Sequence, residues 1–137
     1  MKTLAELNTW SEGHLPEYLG IVIEKLEDGE LHAVMPIASK HHAPNGYLHA
    51  GAVVSLADTA CGYGCISHLP EGASGFTTMQ LNSQHVGTAM DGTLRAVAKL
   101  IHRGRTSQVW DATVTEIGSG RVISHFRCTQ LILYPKT

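Results

Sequence analysis

The sequence predicts an α+β fold in which one long central helix is wrapped by a curved antiparallel sheet of five or six strands. Three observations carry that expectation. Residues 50–67, AGAVVSLADTACGYGCIS, hold a single charged side chain, Asp58, among small and apolar ones. Most of the remaining chain alternates apolar and polar residues as half-buried strands do. The strand-like segments are separated by turn residues, among them Asp28-Gly29, Asp91-Gly92, Arg103-Gly104-Arg105 and Gly118-Ser119-Gly120. A nearly uncharged helix amid antiparallel strands has to be covered by them, and its glycines and alanines let the strands come close.

The elements follow in order. Residues 3–11 and 14–19 read as short helical pieces forming a lid or brace, with Leu4 and Leu7 on one face and Gly13 and Pro16 interrupting the pattern. Residues 20–27 and 30–37 flank Asp28-Gly29, a pair suited to a type I′ hairpin, with Leu31, Ala33 and Met35 alternating inward. Residues 38–48 contain Pro44, Asn45 and Gly46 and show no period, so they form a loop delivering the chain to a helix that starts near His49. Strands are expected over 76–86, 93–102, 106–117 and 121–133. Leu94, Ala96, Ala98 and Leu100 alternate with Arg95 and Lys99 in the second of these.

Composition narrows the function classes. The 137 residues suit one domain spanning 1–137 with a self-sufficient core. A net charge of −2 without a basic run leaves no electrostatic footprint for nucleic acid or a membrane surface. Asp58 in mid-run argues against a transmembrane helix. The N-terminus, MKTLAELNTW, lacks the apolar stretch of a secretory signal, so a cytoplasmic protein is expected. Cys61 and Cys65 stand one helical turn apart and Cys128 far away, which suits reduced thiols packed as small hydrophobes. His41, His42 and His49 with Asp58 lack the spacing of a metal site, and no cofactor is expected.

Asp58 is the residue on which function turns. An isolated carboxylate amid apolar neighbours costs on the order of several kcal/mol to desolvate. Ser55, Thr59 and Gly62 share its helical face, and none is a cation. A solvated stripe or a structural acceptor for a nearby loop is the plainer reading; a functional acid is the sharper one. At the helix entrance His49 precedes Ala50 and Gly51, whose N–H groups belong to the unpaired first turn and carry the positive end of the helix dipole, an oxyanion site. Ala50 and Asp58 are eight residues apart, about 12 Å along a helix, so one helix cannot present both to one carbonyl. Antiparallel central helices in a two-fold dimer bring the start of one beside the middle of the other.

The segment HHAPNGYLHAGAVVSLADTA, residues 41–60, resembles the signature of hotdog-fold acyl-CoA thioesterases of the phenylacetate-degradation and 4-hydroxybenzoyl-CoA group. The likeness runs over nearly the whole chain, and Ile-His-Arg-Gly-Arg at 101–105 is similar to that group's segment near coenzyme A. The resemblance implies that Asp58 is the nucleophile or general base and that the Ala50 N–H polarises the thioester carbonyl beside Gly51. It further implies that His49 orients the thioester, that His85 stands near the acid, and that Arg103, Arg105 and Thr106 meet the coenzyme. The chain departs from the group's pattern twice. It reads His49-Ala50-Gly51 where the group usually has His-Gly-Gly, and Ala43 where many members carry Gln or Asn, with Asn45 as the substitute. Tyr47, Leu48, Tyr63 and Met79 are candidate pocket residues.

The expected function is therefore hydrolysis of an aromatic or medium-chain acyl-CoA by a homo-oligomer, a dimer or a dimer of dimers, with its active site shared across the dimer interface. Two rivals stay open at this point. One is a hydratase or dehydratase on acyl thioesters; the other is a non-catalytic acyl-CoA-binding module.

Overall fold

The computed structural model describes residues 1–136. In chain order it contains α1 (Leu4–Trp10), α2 (Leu15–Leu19), β1 (Val22–Glu27), β2 (Glu30–Pro36), a short 3₁₀ turn at Ser39–His41, α3 (Ala50–Ile66), β3 (Gly75–His85), β4 (Thr93–Arg103), β5 (Ser107–Glu116) and β6 (Arg121–Leu133). The strands form one antiparallel sheet in the order β1-β2-β4-β5-β6-β3, so six strands accompany the central helix as expected.

Small residues decide how closely α3 and the sheet approach. Ala33 pairs with Ala96, and Ala98 with Ala112, giving the middle of the sheet a shallow floor. Ala57, Ala60, Cys61 and Cys65 of α3 are fully buried, among the side chains that face β2 to β6. A methyl group added at Gly64 would lie 2.7 Å from the Trp110 ring, so only glycine fits there. The sheet covers one side of the helix. Ser55, Asp58 and Thr59 on the other side stay half-buried.

Polar groups at the end of α3 are joined to the sheet by one network. Trp110 Nε1 donates to Gln108 Oε1 (2.8 Å), and Gln108 Nε2 donates to the His68 carbonyl (2.8 Å). The His68 ring accepts the Gly29 N–H at Nε2 (2.8 Å), which leaves Nδ1–H to donate to the Gly64 carbonyl (2.7 Å). That grip accounts for a correction to the β1–β2 hairpin. Gly29 has φ +77°, but Asp28 keeps a negative φ, so the turn is not type I′. Its geometry is set by His68, by Arg103 on Asp28 (2.9 Å) and by Leu100 N–H on the Gly29 carbonyl (2.9 Å).

The N-terminal pieces act as a brace. Thr3 and Glu6 close a capping box on α1, and Leu7 is fully buried. Pro16 sits in the first turn of α2, where its missing N–H costs nothing, so it begins that helix and does not interrupt it. Asn8 bonds Ile23 in both directions, Nδ2 to the carbonyl (3.1 Å) and Oδ1 from the N–H (2.9 Å), occupying the outer edge of β1. The opposite edge, β3, has no such cover among the described residues. Residues 77–82 are exposed throughout, with Met79 62% and Leu81 42% accessible.

Candidate active site

Asp58 stands in mid-α3 on the face turned away from the sheet. Its Oδ1 is buried and has no hydrogen-bond partner, the sole such side-chain atom among the described residues. Ser55, one turn earlier, spends its hydroxyl on the Gly51 carbonyl (2.8 Å). Burial pushes the Asp58 carboxyl above the ordinary carboxylate range, and no cation offsets it. A structural acceptor would be satisfied by the groups it holds; this oxygen is not. The geometry favours a base kept ready for something the free chain lacks.

The helix start is built with similar care. His49 is the N-cap in extended conformation (φ −72°, ψ 132°), and its Nδ1 accepts the Gly51 N–H (2.8 Å). The expectation that Gly51 offers a free donor is thereby corrected: that N–H is already committed to the cap. The Ala50 N–H donates to no group among the described residues and is left as the outward donor. Because Nδ1 accepts, the neutral His49 ring carries its proton on Nε2, which faces outward as a second donor. Behind it, buried His41 takes the Ala38 N–H at Nδ1 (2.9 Å) and donates from Nε2 to the Leu19 carbonyl (2.7 Å), while its own carbonyl accepts the His49 N–H (2.9 Å). His41 is thus a fastener for the helix entrance.

The other candidates fall into two groups. His85 ends β3 with an exposed side chain. Four residues later the Ala89 carbonyl accepts the Leu48 N–H (3.3 Å), which puts that strand end beside the start of α3. Phe76 at the other end of β3 seats on Gly62, where an added methyl would lie 3.0 Å from its ring. Phe76 and His85 stand nine positions apart in β3, about 30 Å along a strand at ~3.3 Å per residue, so His85 is far from the part of α3 on which Phe76 seats. His49 and Ala50 at the helix start, and His85 at the end of the strand that leads toward it, therefore lie toward the same end of the fold.

Arg103, the last residue of β4, and Arg105 and Thr106 in the turn that follows lie at the opposite end. Arg103 is not free: it holds Asp28, and that guanidinium lowers the Asp28 carboxyl below its usual range. Arg105 lies over the Tyr134 ring, 5.9 Å to its centre, and Thr106 is exposed. Asn45 uses Oδ1 to accept the Tyr47 N–H (3.1 Å), so its exposed side chain has only its amide donors left for a ligand. Tyr63 turns toward α1: its hydroxyl meets Ser11 (2.6 Å) and its ring stacks on Trp10 at 5.0 Å.

These elements match a described family. Residues 45–123, more than half of the chain and inclusive of the helix start, Asp58 and the turn after β4, match the thioesterase superfamily. The chain belongs to that superfamily. It is 36% identical over 134 residues to the 1,4-dihydroxy-2-naphthoyl-CoA hydrolase of Escherichia coli, covering 96% of this chain and 95% of that protein. The proofreading thioesterase EntH of Klebsiella pneumoniae is 38% identical over 112 residues, with 82% and 81% covered. A crystal structure of a mutant of the thioesterase PA1618 from Pseudomonas aeruginosa superposes with a TM-score of 0.91 at 31% identity, over 97% of this chain and 95% of that one. The fold is accordingly the hotdog fold, and the enzyme is a thioester hydrolase homologous to a 1,4-dihydroxy-2-naphthoyl-CoA hydrolase.

Trp10 and Phe76 pack against α3, on Tyr63 and Gly62 respectively, contacts that their own positions in the sequence do not indicate. By sequence, Phe76 marks only the start of a strand and Trp10 only part of a brace. The available signal was the spacing of Asp58, Gly62 and Ile66 at four-residue intervals, which marks one stripe of the helix leading from the acid toward both rings.

Proposed function

We propose that this thioesterase hydrolyses an aromatic or medium-chain acyl-CoA to the carboxylate and free coenzyme A, as a single-domain cytoplasmic enzyme whose active sites are each shared by two subunits of a homodimer, or of a dimer of such dimers. The observation that carries the chemistry is the buried, unpartnered Oδ1 of Asp58. A carboxylate whose basicity is raised by burial, with no hydrogen bond to give up, suits proton abstraction from water or direct attack on the thioester carbon. The Ala50 N–H, at the positive end of α3, receives the oxyanion as the carbonyl carbon becomes tetrahedral, and His49 Nε2–H orients the same thioester. Collapse of that intermediate expels the thiolate of coenzyme A. With water as nucleophile the thiolate takes back the proton Asp58 removed. With Asp58 as nucleophile the mixed anhydride so formed is opened by water, which releases the carboxylate, restores Asp58 and supplies the proton.

The separation of the two groups supports the shared site. Ala50 and Asp58 are held on one rigid helix about 12 Å apart, too far to meet at one carbon. The uncovered edge of β3 offers the place for a partner. It is eleven residues long, with neither lysine nor proline, whereas β1 is capped by Asn8. Pairing two such edges about a two-fold axis brings antiparallel α3 helices face to face, with Ala50, His49 and His85 of one near Asp58 of the other. The 1,4-dihydroxy-2-naphthoyl-CoA hydrolase among the relatives supports an aromatic acyl group. Arg105 and Thr106 would meet the coenzyme, with Arg103 exchanging Asp28 for phosphate and Asn45 offering its amide N–H groups.

The test is thiol release from benzoyl-, phenylacetyl-, hydroxybenzoyl-, hexanoyl- and palmitoyl-CoA by wild type and Asp58→Asn. Turnover lost by a factor of about 100 or more in the variant is the expected result. Equal activity of the two proteins would remove Asp58 from the chemical step; a changed enoyl absorbance without thiol release would identify a hydratase instead.

A further inference from the structure

Between α1 and the end of α3 lies an open groove of about 730 Å³ whose lining includes Ala5, Thr9, Trp10, Ile66, Leu69 and Ser74. Its walls are largely apolar, and its mouth carries Lys2 and Glu6. Trp10 stacks one side on Tyr63 and leaves 49% of its surface open, a high exposure for an indole that the fold has otherwise immobilised. The groove continues the Asp58 face of α3. Gly62 and Ile66 follow Asp58 by one and two turns; Ile66 lines the groove, and Phe76 seats on Gly62 in the turn between Asp58 and Ile66. From Asp58 to Ile66 is eight residues, about 12 Å along the helix.

We infer that this groove receives the distal part of the acyl chain, so that the preferred substrate is a linear medium-chain acyl-CoA whose apolar tail runs from Asp58 past Phe76 to Trp10. This rests on the hydrolase reading above and narrows its acyl group. An extended chain of roughly ten carbons spans the 12 Å from the carbonyl to Ile66, whereas a single benzoyl ring stops near Gly62. Each methylene buried there raises kcat/KM by about three- to fourfold until the groove is full. Trp10, Phe76 and Ile66 are in this account specificity residues, and the acyl length is read at the brace formed by α1.

Ala5 lines the groove from α1 with an exposed side chain, so Ala5→Trp fills it from the solvent side without entering the core. The experiment measures kcat/KM for butyryl-, hexanoyl-, octanoyl-, decanoyl- and tetradecanoyl-CoA in wild type and Ala5→Trp, with melting temperatures of both. The expected result is a decanoyl-to-butyryl ratio at least about tenfold lower in the variant at equal melting temperature. A ratio unchanged within twofold, with thiol still released, overturns the inference and leaves the hydrolase reading standing. Should no acyl-CoA release thiol, the hydrolase reading fails and binding decides the groove. Trp110 is fully buried, so emission sensitive to an added ligand belongs to Trp10, the only other tryptophan. Decanoyl-CoA must then shift that emission to the blue where acetyl-CoA does not, and the absence of that shift overturns the inference as well.

Discussion

Replacing Ala50 by proline removes one hydrogen atom from the place where the oxyanion is assigned and disturbs little else. Ala50 is the first residue of α3, the position at which proline is favoured because its fixed φ is already helical and its N–H is not used within the helix. The residue before a proline must be extended, and His49 already is, at φ −72° and ψ 132°. The His49 cap on the Gly51 N–H does not involve Ala50 and survives. Stability should therefore stay level or rise by about 0.4–1 kcal/mol through the stiffer unfolded chain. Activity should fall by about 100- to 1000-fold, the cost of one oxyanion donor, mainly in kcat. Thiol release under saturating acyl-CoA and a urea melt give the two readings. If the variant folds normally and keeps activity within about threefold of wild type, the Ala50 N–H does not hold the oxyanion.

Asp58→Asn should make the protein more stable while it loses turnover. Relief of the uncompensated charge should raise the urea midpoint at neutral pH, with the gain vanishing in acid. The sign follows from the raised carboxyl: its burden is absent below the ordinary carboxylate pKa, where the group is protonated in both states, and grows as pH rises through the elevated folded value. A loss of stability would instead make Asp58 a structural acceptor. Glu116 behaves oppositely, since N–H groups of Gly118 and Ser119 hold its carboxyl down at about 2. Its contribution is present above the ordinary carboxylate range and is lost as pH falls toward 2, so Glu116→Gln should flatten the acid limb of stability against pH. Gly64→Ala brings a helix-propensity gain of about 1 kcal/mol against an overpacking cost of about 1–3 kcal/mol. Overpacking should win because Trp110 is pinned by Gln108, and thermal unfolding should show a lower melting temperature.

The architecture was legible because its determinants are local. Alternation at Leu31, Ala33 and Met35 and at Leu94, Ala96 and Ala98 places each inward residue correctly, and the small-residue run around Asp58 identifies the helix they enclose. The type I′ expectation failed because Asp28-Gly29 is shaped by His68 and Arg103, partners 40 and 75 residues away from Asp28, which no local propensity reveals. Of the candidate site, Asp58 was legible as an isolated carboxylate in one line of sequence, and the structure leaves its buried Oδ1 without a hydrogen-bond partner. Gly51 was misjudged because a free first-turn N–H is the default, and only the His49 ring orientation shows that it is taken. The seat of Trp10 on Tyr63 is not legible because α1 folds back across 53 residues to make it, a contact that spacing does not encode.

Mixing two inactive variants tests the shared site most directly. Asp58→Asn keeps a sound helix start and Ala50→Pro keeps a sound acid, so a dimer containing one of each has one intact site and one doubly defective site. Equal amounts of the two, unfolded together and refolded, should recover roughly a quarter of wild-type thiol release, since half the dimers are mixed and half the sites in those are intact. Activity no higher than that of the separate variants, in refolded material shown to contain mixed dimers, would contradict the account and place Ala50 and Asp58 in sites that do not span the interface.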